Sequence, residues 1–268
     1  MSMKNKKKKH GEIMKLGLNL YSIKTLIQTE QDFLATTFKL KEMGYEALQF
    51  SGATFNAEMI KRVSEQTGMP FVLTHVPYDR IVNDTNRLME EHALFGCKNI
   101  GLGALSIEEM NNEDLFKDRI ENLNKAGEVM KKNGFKFFYH NHHTEMTKLS
   151  SGELKLYYML NNAPNVNFTL DTYWLQYGGL NPIKVFNDFK GRIECVHLKD
   201  YRVVYKEEAF KPEFAPCGEG TLDFKALIKA GLESGTEYFL VEQDDAIRYE
   251  NPLGEVEKSI NYLKEITK

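Results

Sequence analysis

Cysteine is scarce in this 268-residue chain: Cys97, Cys195 and Cys217 are odd in number, far apart and outside any C-x-x-C pair. That excludes a disulfide framework and a thiolate zinc site, and it fits a reducing cytoplasm. No apolar run approaches the ~20 residues that a membrane helix needs, so no membrane partner is expected. An excess of one charge is lacking as well. With 35 Lys and Arg against 38 Asp and Glu, the net charge is -3. No broad basic face invites phosphate backbones, and nucleic acid is not an expected partner. No Gly-x-Gly-x-x-Gly follows the first strand-like run, which removes the main support for a dinucleotide-binding open sheet. The lysines at 4 and 6–9 are followed by Gly11, Glu12 and Lys15 and by no apolar h-region, so residues 1–12 read as a solvated Lys-rich tail.

What is present is an alternation. Short β-rich apolar runs occur at 15–20, 46–50, 70–74, 98–103, 135–140, 166–171, 192–198 and 237–242. Stretches with helical periodicity follow them, at about 30–43, 56–67, 80–96, 106–133, 151–162, 182–190, 223–234 and 252–267. Glycine stops several of these helices, at Gly44, Gly68, Gly96 and Gly134. Eight β-then-α units predict an α/β fold, a (β/α)8 TIM barrel forming a single domain over 13–268. An open doubly wound sheet is the alternative. The stretch 199–222 shows no helix and carries Pro212, Pro216 and the turn-like Cys217-Gly218-Glu219-Gly220, which suits a substrate lid.

Barrel chemistry sits where strands end, and those positions here are polar. They are Asn19 and Tyr21, Gln49 and Ser51, Thr74 and His75, the run Tyr139 to Glu145, Asp171, His197 with Lys199 and Asp200, and Glu242, Gln243 and Asp244. Each has a structural explanation by itself: a hydrogen-bonded histidine at 75, a helix N-cap at Asp171, a solvated turn at Lys199 and Asp200, an ion pair at Glu242. Together, carboxylates and imidazoles at neighbouring strand ends converge, and a bound cation relieves the repulsion. Mixed oxygen and nitrogen donors suit one divalent ion such as Mn, Co, Zn or Mg. Alternation along a strand puts His140 and His142 on the same side, with Glu145 just beyond. Trp174, with Tyr173 and Tyr177, stands after Asp171, where aromatic faces either stack on a sugar or pack between helices.

GLNLYSIK at 17–24, THVPYD at 74–79, YHNHHTE at 139–145, LDTYWLQYGG at 170–179, HLKD at 197–200, GEGTLDF at 218–224 and VEQD at 241–244 stand in an order that resembles the xylose isomerase-like TIM barrel superfamily, the sugar phosphate isomerase/epimerase type. The resemblance covers 13–268 and implies a metal held by a carboxylate from the fifth strand, an aspartate from the sixth, a histidine from the seventh and a glutamate from the eighth. Here those are Glu145, Asp171, His197 and Glu242, with His142 or His140 competing for the first place. Glu242, His142, His140 and Glu145 are the candidate acid/base residues, and the strand-end residues Asn19, Tyr21, Gln49, His75, Lys199 and Gln243, with Trp174, are the candidate contacts to a small-molecule sugar or sugar derivative. Two glutamates around the fifth strand are the pattern in epimerases; this chain has histidines and one glutamate there.

The leading expectation is a divalent-metal-dependent sugar isomerase or epimerase that moves a proton next to a polarised carbonyl. A metal-dependent lyase or dehydratase on keto-sugars or 3-keto-glycosides, of the inosose dehydratase kind, is the second. A non-catalytic sugar-binding barrel is the alternative from another class. An apurinic-site nuclease needs a three-metal cluster, for which seven histidines, His10 and His92 among them, are few. Lys199 is the one evident cation at the last two strand ends, which favours a non-phosphorylated sugar. The oligomeric state is open, a homo-oligomer included.

Overall fold

The computed structural model describes residues 14–268, so the Lys-rich stretch 1–12 lies outside the described residues. Ten strands are present among them: β1 Lys15–Asn19, β2 Ala47–Phe50, β3 Phe71–His75, β4 Asn99–Leu102, β5 Lys136–His140, β6 Val166–Asp171, β7 Cys195–Leu198, β8 Asp200–Lys206, β9 Ala209–Ala215 and β10 Tyr238–Val241. Eight of these, all but β8 and β9, close into a parallel barrel in which β1 pairs with both β2 and β10. Closure leaves no open edge and excludes the doubly wound sheet.

Alternation of side chains divides each strand between two environments. Ala47, Leu73, Phe138, Cys195 and Leu240 form a small cluster inside the barrel, while Leu48, Phe137, Tyr139, Phe168, Val196 and Phe239 join the larger core under the helices. Counting by twos from the inner set towards the strand ends gives Gln49, His75, His140, His197 and Glu242. The same rule that packs the barrel therefore aims these polar groups at its mouth. Room for the imidazole at 75 comes from β4 and the residue beyond it: a Cβ on Gly101 would stand 3.1 Å from its Cδ2, and one on Gly103 3.1 Å from its Nδ1.

The helices fall at the expected places with two breaks. The stretch expected as one helix over 80–96 is Tyr78–Asn83 and Thr85–Ala93, and 106–133 is Ile107–Asn111 and Glu113–Lys132. In the second case Asn112 leaves helical geometry and its side chain accepts from Leu115 N–H, since Asn gains more as an N-cap than within a helix. Gly44, Gly68, Gly96 and Gly134 all take positive φ, as helix stops do.

The segment 199–222 is the main departure from expectation. It holds an antiparallel hairpin, β8 with β9, registered Tyr201 to Phe214 and Tyr205 to Phe210. Its two-residue turn is Glu207-Glu208, both with φ above +50°. Such turns usually announce themselves with Asn-Gly or Asp-Gly, so the sequence carried no turn signal. Asp200 ties the hairpin's root to the barrel: its buried carboxylate accepts from the backbone N–H groups of Tyr201, Gly218, Gly220, Thr221 and Leu222 at 2.9–3.2 Å. Gly220 approaches that carboxylate too closely for any Cβ.

Candidate metal centre and substrate pocket

Four buried residues from adjacent strands meet at the barrel mouth. One donor atom each of His140, Asp171, His197 and Glu242 lies within 4.8 Å of the others. Each side chain has its second polar atom committed elsewhere. His140 Nδ1–H donates to Thr169 O at 3.2 Å, which leaves Nε2 with its lone pair. His197 Nε2–H donates to Gln49 Oε1 at 2.7 Å, which leaves Nδ1. Asp171 Oδ1 accepts from Trp174 N–H at 3.0 Å, and Glu242 Oε1 accepts from Asn19 Nδ2–H at 2.5 Å. The remaining atoms are electron-pair donors aimed at one point, an arrangement typical of oriented metal ligands.

Three of those four atoms, Asp171 Oδ2, His197 Nδ1 and Glu242 Oε2, are buried without a hydrogen-bond partner. His197 Nδ1 is 2.9 Å from Glu242 Oε2, a hydrogen-bond distance, but the pair is misaligned for one. Lys199 Nζ also stands close, 2.9 Å from Glu242 Oε2, 3.2 Å from Asp171 Oδ2 and 3.1 Å from Asp244 Oδ2; of these contacts only that to Asp244 is a hydrogen bond. Leaving such groups unsatisfied costs several kcal/mol, on the order of 1–3 or more for each. A buried His-Asp-His-Glu set of this kind could hold a divalent ion, and the donor chemistry fits one.

The electrostatics are those of a crowded anionic site. Burial, opposed by Lys199 and reinforced by Glu242, pushes Asp171 up to about 7. Burial would raise Glu242 too, but the His197 ring and the Lys199 ammonium hold it well below the usual carboxylate range. Burial works against the charge on Lys199, yet Asp171, Glu242 and Asp244 outweigh it and raise its pKa. Burial, with repulsion from neighbouring rings and Lys199, lowers His75 to about 3 and His142 to about 4.

A cavity of about 310 Å³ opens beside the cluster, lined by Tyr21, Ser51, His75, His142, Lys199 and Asp244 together with His140 and Glu242. Tyr21, His75 and Lys199 therefore stand where a ligand would touch them. Asn19 and Gln49, expected at the substrate, instead orient Glu242 and His197; Gln49 Nε2–H also donates to His75 Nε2 at 3.0 Å. Gln243 turns away from the cavity, its Nε2 donating to Asp245 Oδ1 at 3.1 Å and to Glu255 at 3.4 Å. Trp174 flanks the mouth, its ring 5.4 Å from that of His142. Glu145, placed among the metal ligands by resemblance, lies outside the group of four, and His140 stands there instead. Its carboxylate accepts from Tyr139 O–H at 2.6 Å, His142 N–H at 2.8 Å and Thr144 O–H at 3.1 Å, and burial raises its pKa. The 3-10 turn His143–Met146 rotates it away from the strand's inner face, an exit that periodicity did not show. Ser51 and Asp244 line the cavity without having been assigned a role; their positions at strand ends were the available signal.

Residues 38–266 match the xylose isomerase-like TIM barrel family. The chain belongs to that family. Among similar curated proteins is an inosose dehydratase of Clostridium beijerinckii, 32% identical over 170 residues, which are 58% of this chain and 56% of the relative. The chain thus spans little more than half the length of that relative. Crystal structures described as sugar phosphate isomerase/epimerases of Parabacteroides distasonis superpose with TM-scores of 0.76, at 23% identity over 95% of each chain, and 0.73, at 25% identity over 95% of this chain and 100% of the other. Among the described residues of this family member, no helix is long and apolar enough to cross a membrane.

Proposed function

We propose that this protein is a divalent-metal-dependent enzyme that removes a proton next to the carbonyl of a non-phosphorylated keto-sugar or cyclic polyol ketone, and that the ensuing step is elimination of water. The observation that carries the proposal is the convergence of four free donor atoms, from His140, Asp171, His197 and Glu242, beside a cavity that presents the imidazole of His142. A divalent ion held by those four residues would polarise the carbonyl and so acidify the neighbouring C–H.

His142 is the base in this account. It lines the cavity outside the group of four, and its ring is held neutral by burial. Glu145 fixes the His142 backbone by accepting its N–H, which makes Glu145 a positioning residue. The Lys199 ammonium faces the same cavity and stabilises negative charge on the carbonyl oxygen as the C–H bond breaks. The imidazolium then returns its proton to the hydroxyl departing from the next carbon, so water leaves and no net proton is consumed. Similarity to an inosose dehydratase supports this direction. Lys199 is already engaged by three carboxylates, which supports an unphosphorylated substrate.

Isomerisation is the second reading, favoured by His75, a second imidazole lining the same cavity from another strand. Incubation of the manganese-loaded protein with scyllo-inosose and with unphosphorylated ketohexoses in deuterium oxide separates the two. Elimination gives a product lighter by one water with new ultraviolet absorbance from a conjugated ketone. Isomerisation gives deuterium incorporation without loss of water. Binding with neither result contradicts both and leaves the non-catalytic barrel.

A further inference from the structure

A second cavity, of about 350 Å³, lies between the β8–β9 hairpin and the chain that follows β10. Tyr173, Val204 and Phe214 form its apolar wall, and Asp244, Asp245 and Arg248 its polar one. Asp244 lines this cavity and the first one alike. The two spaces adjoin at the Lys199–Asp244 pair, and the Phe214 ring bridges them, 5.5 Å from Lys199 Nζ on one side and 4.9 Å from the Tyr173 ring on the other.

The chemistry of the second cavity selects its occupant. Lys206 and Lys211, which also line it, are paired with Glu213 and Glu207. Acidic and basic groups nearly balance, so neither an anion nor a free cation is drawn there. Carboxylates that accept, a guanidinium that donates and aromatic faces that cover C–H groups are instead complementary to a neutral polyhydroxylated ring. Each cavity is at the lower end of ligand-pocket sizes, roughly 300 Å³, which gives room for one ring in each.

We infer that the substrate is a glycoside of two rings, with the reacting ring in the first cavity and a second, neutral sugar ring held against Phe214 and Tyr173 by Asp245 and Arg248. This deepens the sugar reading given above and rests on it.

Trp174 is the only tryptophan, and its ring lies 6.0 Å from Phe214 and 5.4 Å from His142, so its fluorescence responds to occupancy of either cavity and the Arg248→Ala variant separates the two. The probes are cellobiose, lactose, maltose and trehalose against glucose and galactose, none of which carries the ketone that the proposed reaction needs. Fluorescence titration and calorimetry on the whole protein should find at least one disaccharide bound about ten-fold more tightly than either of its rings. That advantage should fall below about three-fold in Arg248→Ala and in Phe214→Ala, with affinity for the single ring kept. Arg248 is exposed, so its variant folds even where loss of Phe214 disturbs the hairpin's root. Single rings that bind as well as every disaccharide, or an advantage that survives Arg248→Ala, would overturn the inference and leave the sugar reading intact. Failure of all six sugars to bind would overturn the inference as well, while the proton-abstraction reading is decided by the deuterium oxide assay.

Discussion

His197 Nδ1 and Glu242 Oε2 stand 2.9 Å apart in the buried floor of the cavity, and neither atom has an aligned hydrogen-bond partner. Two such atoms are held together by the residues behind them: Gln49 grips the far side of the imidazole and Asn19 the far side of the carboxylate. Replacing Gln49 or Asn19 by alanine should therefore weaken Mn²⁺ binding about 10–100-fold, although neither touches the ion. Replacing Asp171 or His197 should weaken it further still. Equilibrium dialysis of the four variants against Mn²⁺ checks the order, and equal affinities throughout would contradict it.

His140 stands in the group of four donors, where resemblance implies Glu145 with His140 or His142 competing, and the two are separable by mutation. His140→Ala should lose metal while remaining folded. Glu145→Ala should keep metal, lose the partners of Tyr139 O–H and His142 N–H, and be less stable by about 1–3 kcal/mol in urea unfolding. Metal loss in Glu145→Ala with metal retained in His140→Ala would restore the glutamate as ligand.

The position of Glu145 marks the limit of what the sequence reveals. The alternation of short apolar runs with helical stretches was enough to count eight strands and to place His140, His197 and Glu242 at their ends, where barrel chemistry sits. It says nothing beyond the last residue of a strand. The turn at His143–Met146 carries Glu145 off the inner face. The β8–β9 hairpin escaped for a related reason, its Glu207-Glu208 turn having positive φ without the residues that favour it. Asn19 and Gln49 stand where expected, but whether a polar side chain faces substrate or supports its neighbour depends on rotamers that no spacing encodes.

Catalysis should depend on His142 separately from the metal. His142→Ala is expected to lower kcat about 10²–10⁴-fold with Mn²⁺ stoichiometry unchanged. Parallel loss of metal and rate would instead place His142 among the ligands.

His92 offers a pH test away from the site. Its ring is buried between Thr74 Oγ1 at 2.8 Å and Leu88 O at 2.7 Å, and burial lowers its pKa to about 4 from an ordinary 6.5. Between those values the unfolded chain binds the proton and the folded one does not, so stability rises with pH there. Its contribution is complete above about pH 6.5 and is lost as pH falls through 4, on the order of 3 kcal/mol. Urea unfolding of the wild type and His92→Gln from pH 7 to pH 4 should show the shallower dependence in the variant. Identical slopes would mean that the ring titrates normally in the fold.

The most direct measurement is anomalous diffraction from crystals of the protein soaked in Mn²⁺. One strong anomalous peak is expected at the barrel mouth, coordinated by His140 Nε2, Asp171 Oδ2, His197 Nδ1 and Glu242 Oε2. A peak coordinated by Glu145, or no peak between these four side chains at saturating Mn²⁺, would contradict it.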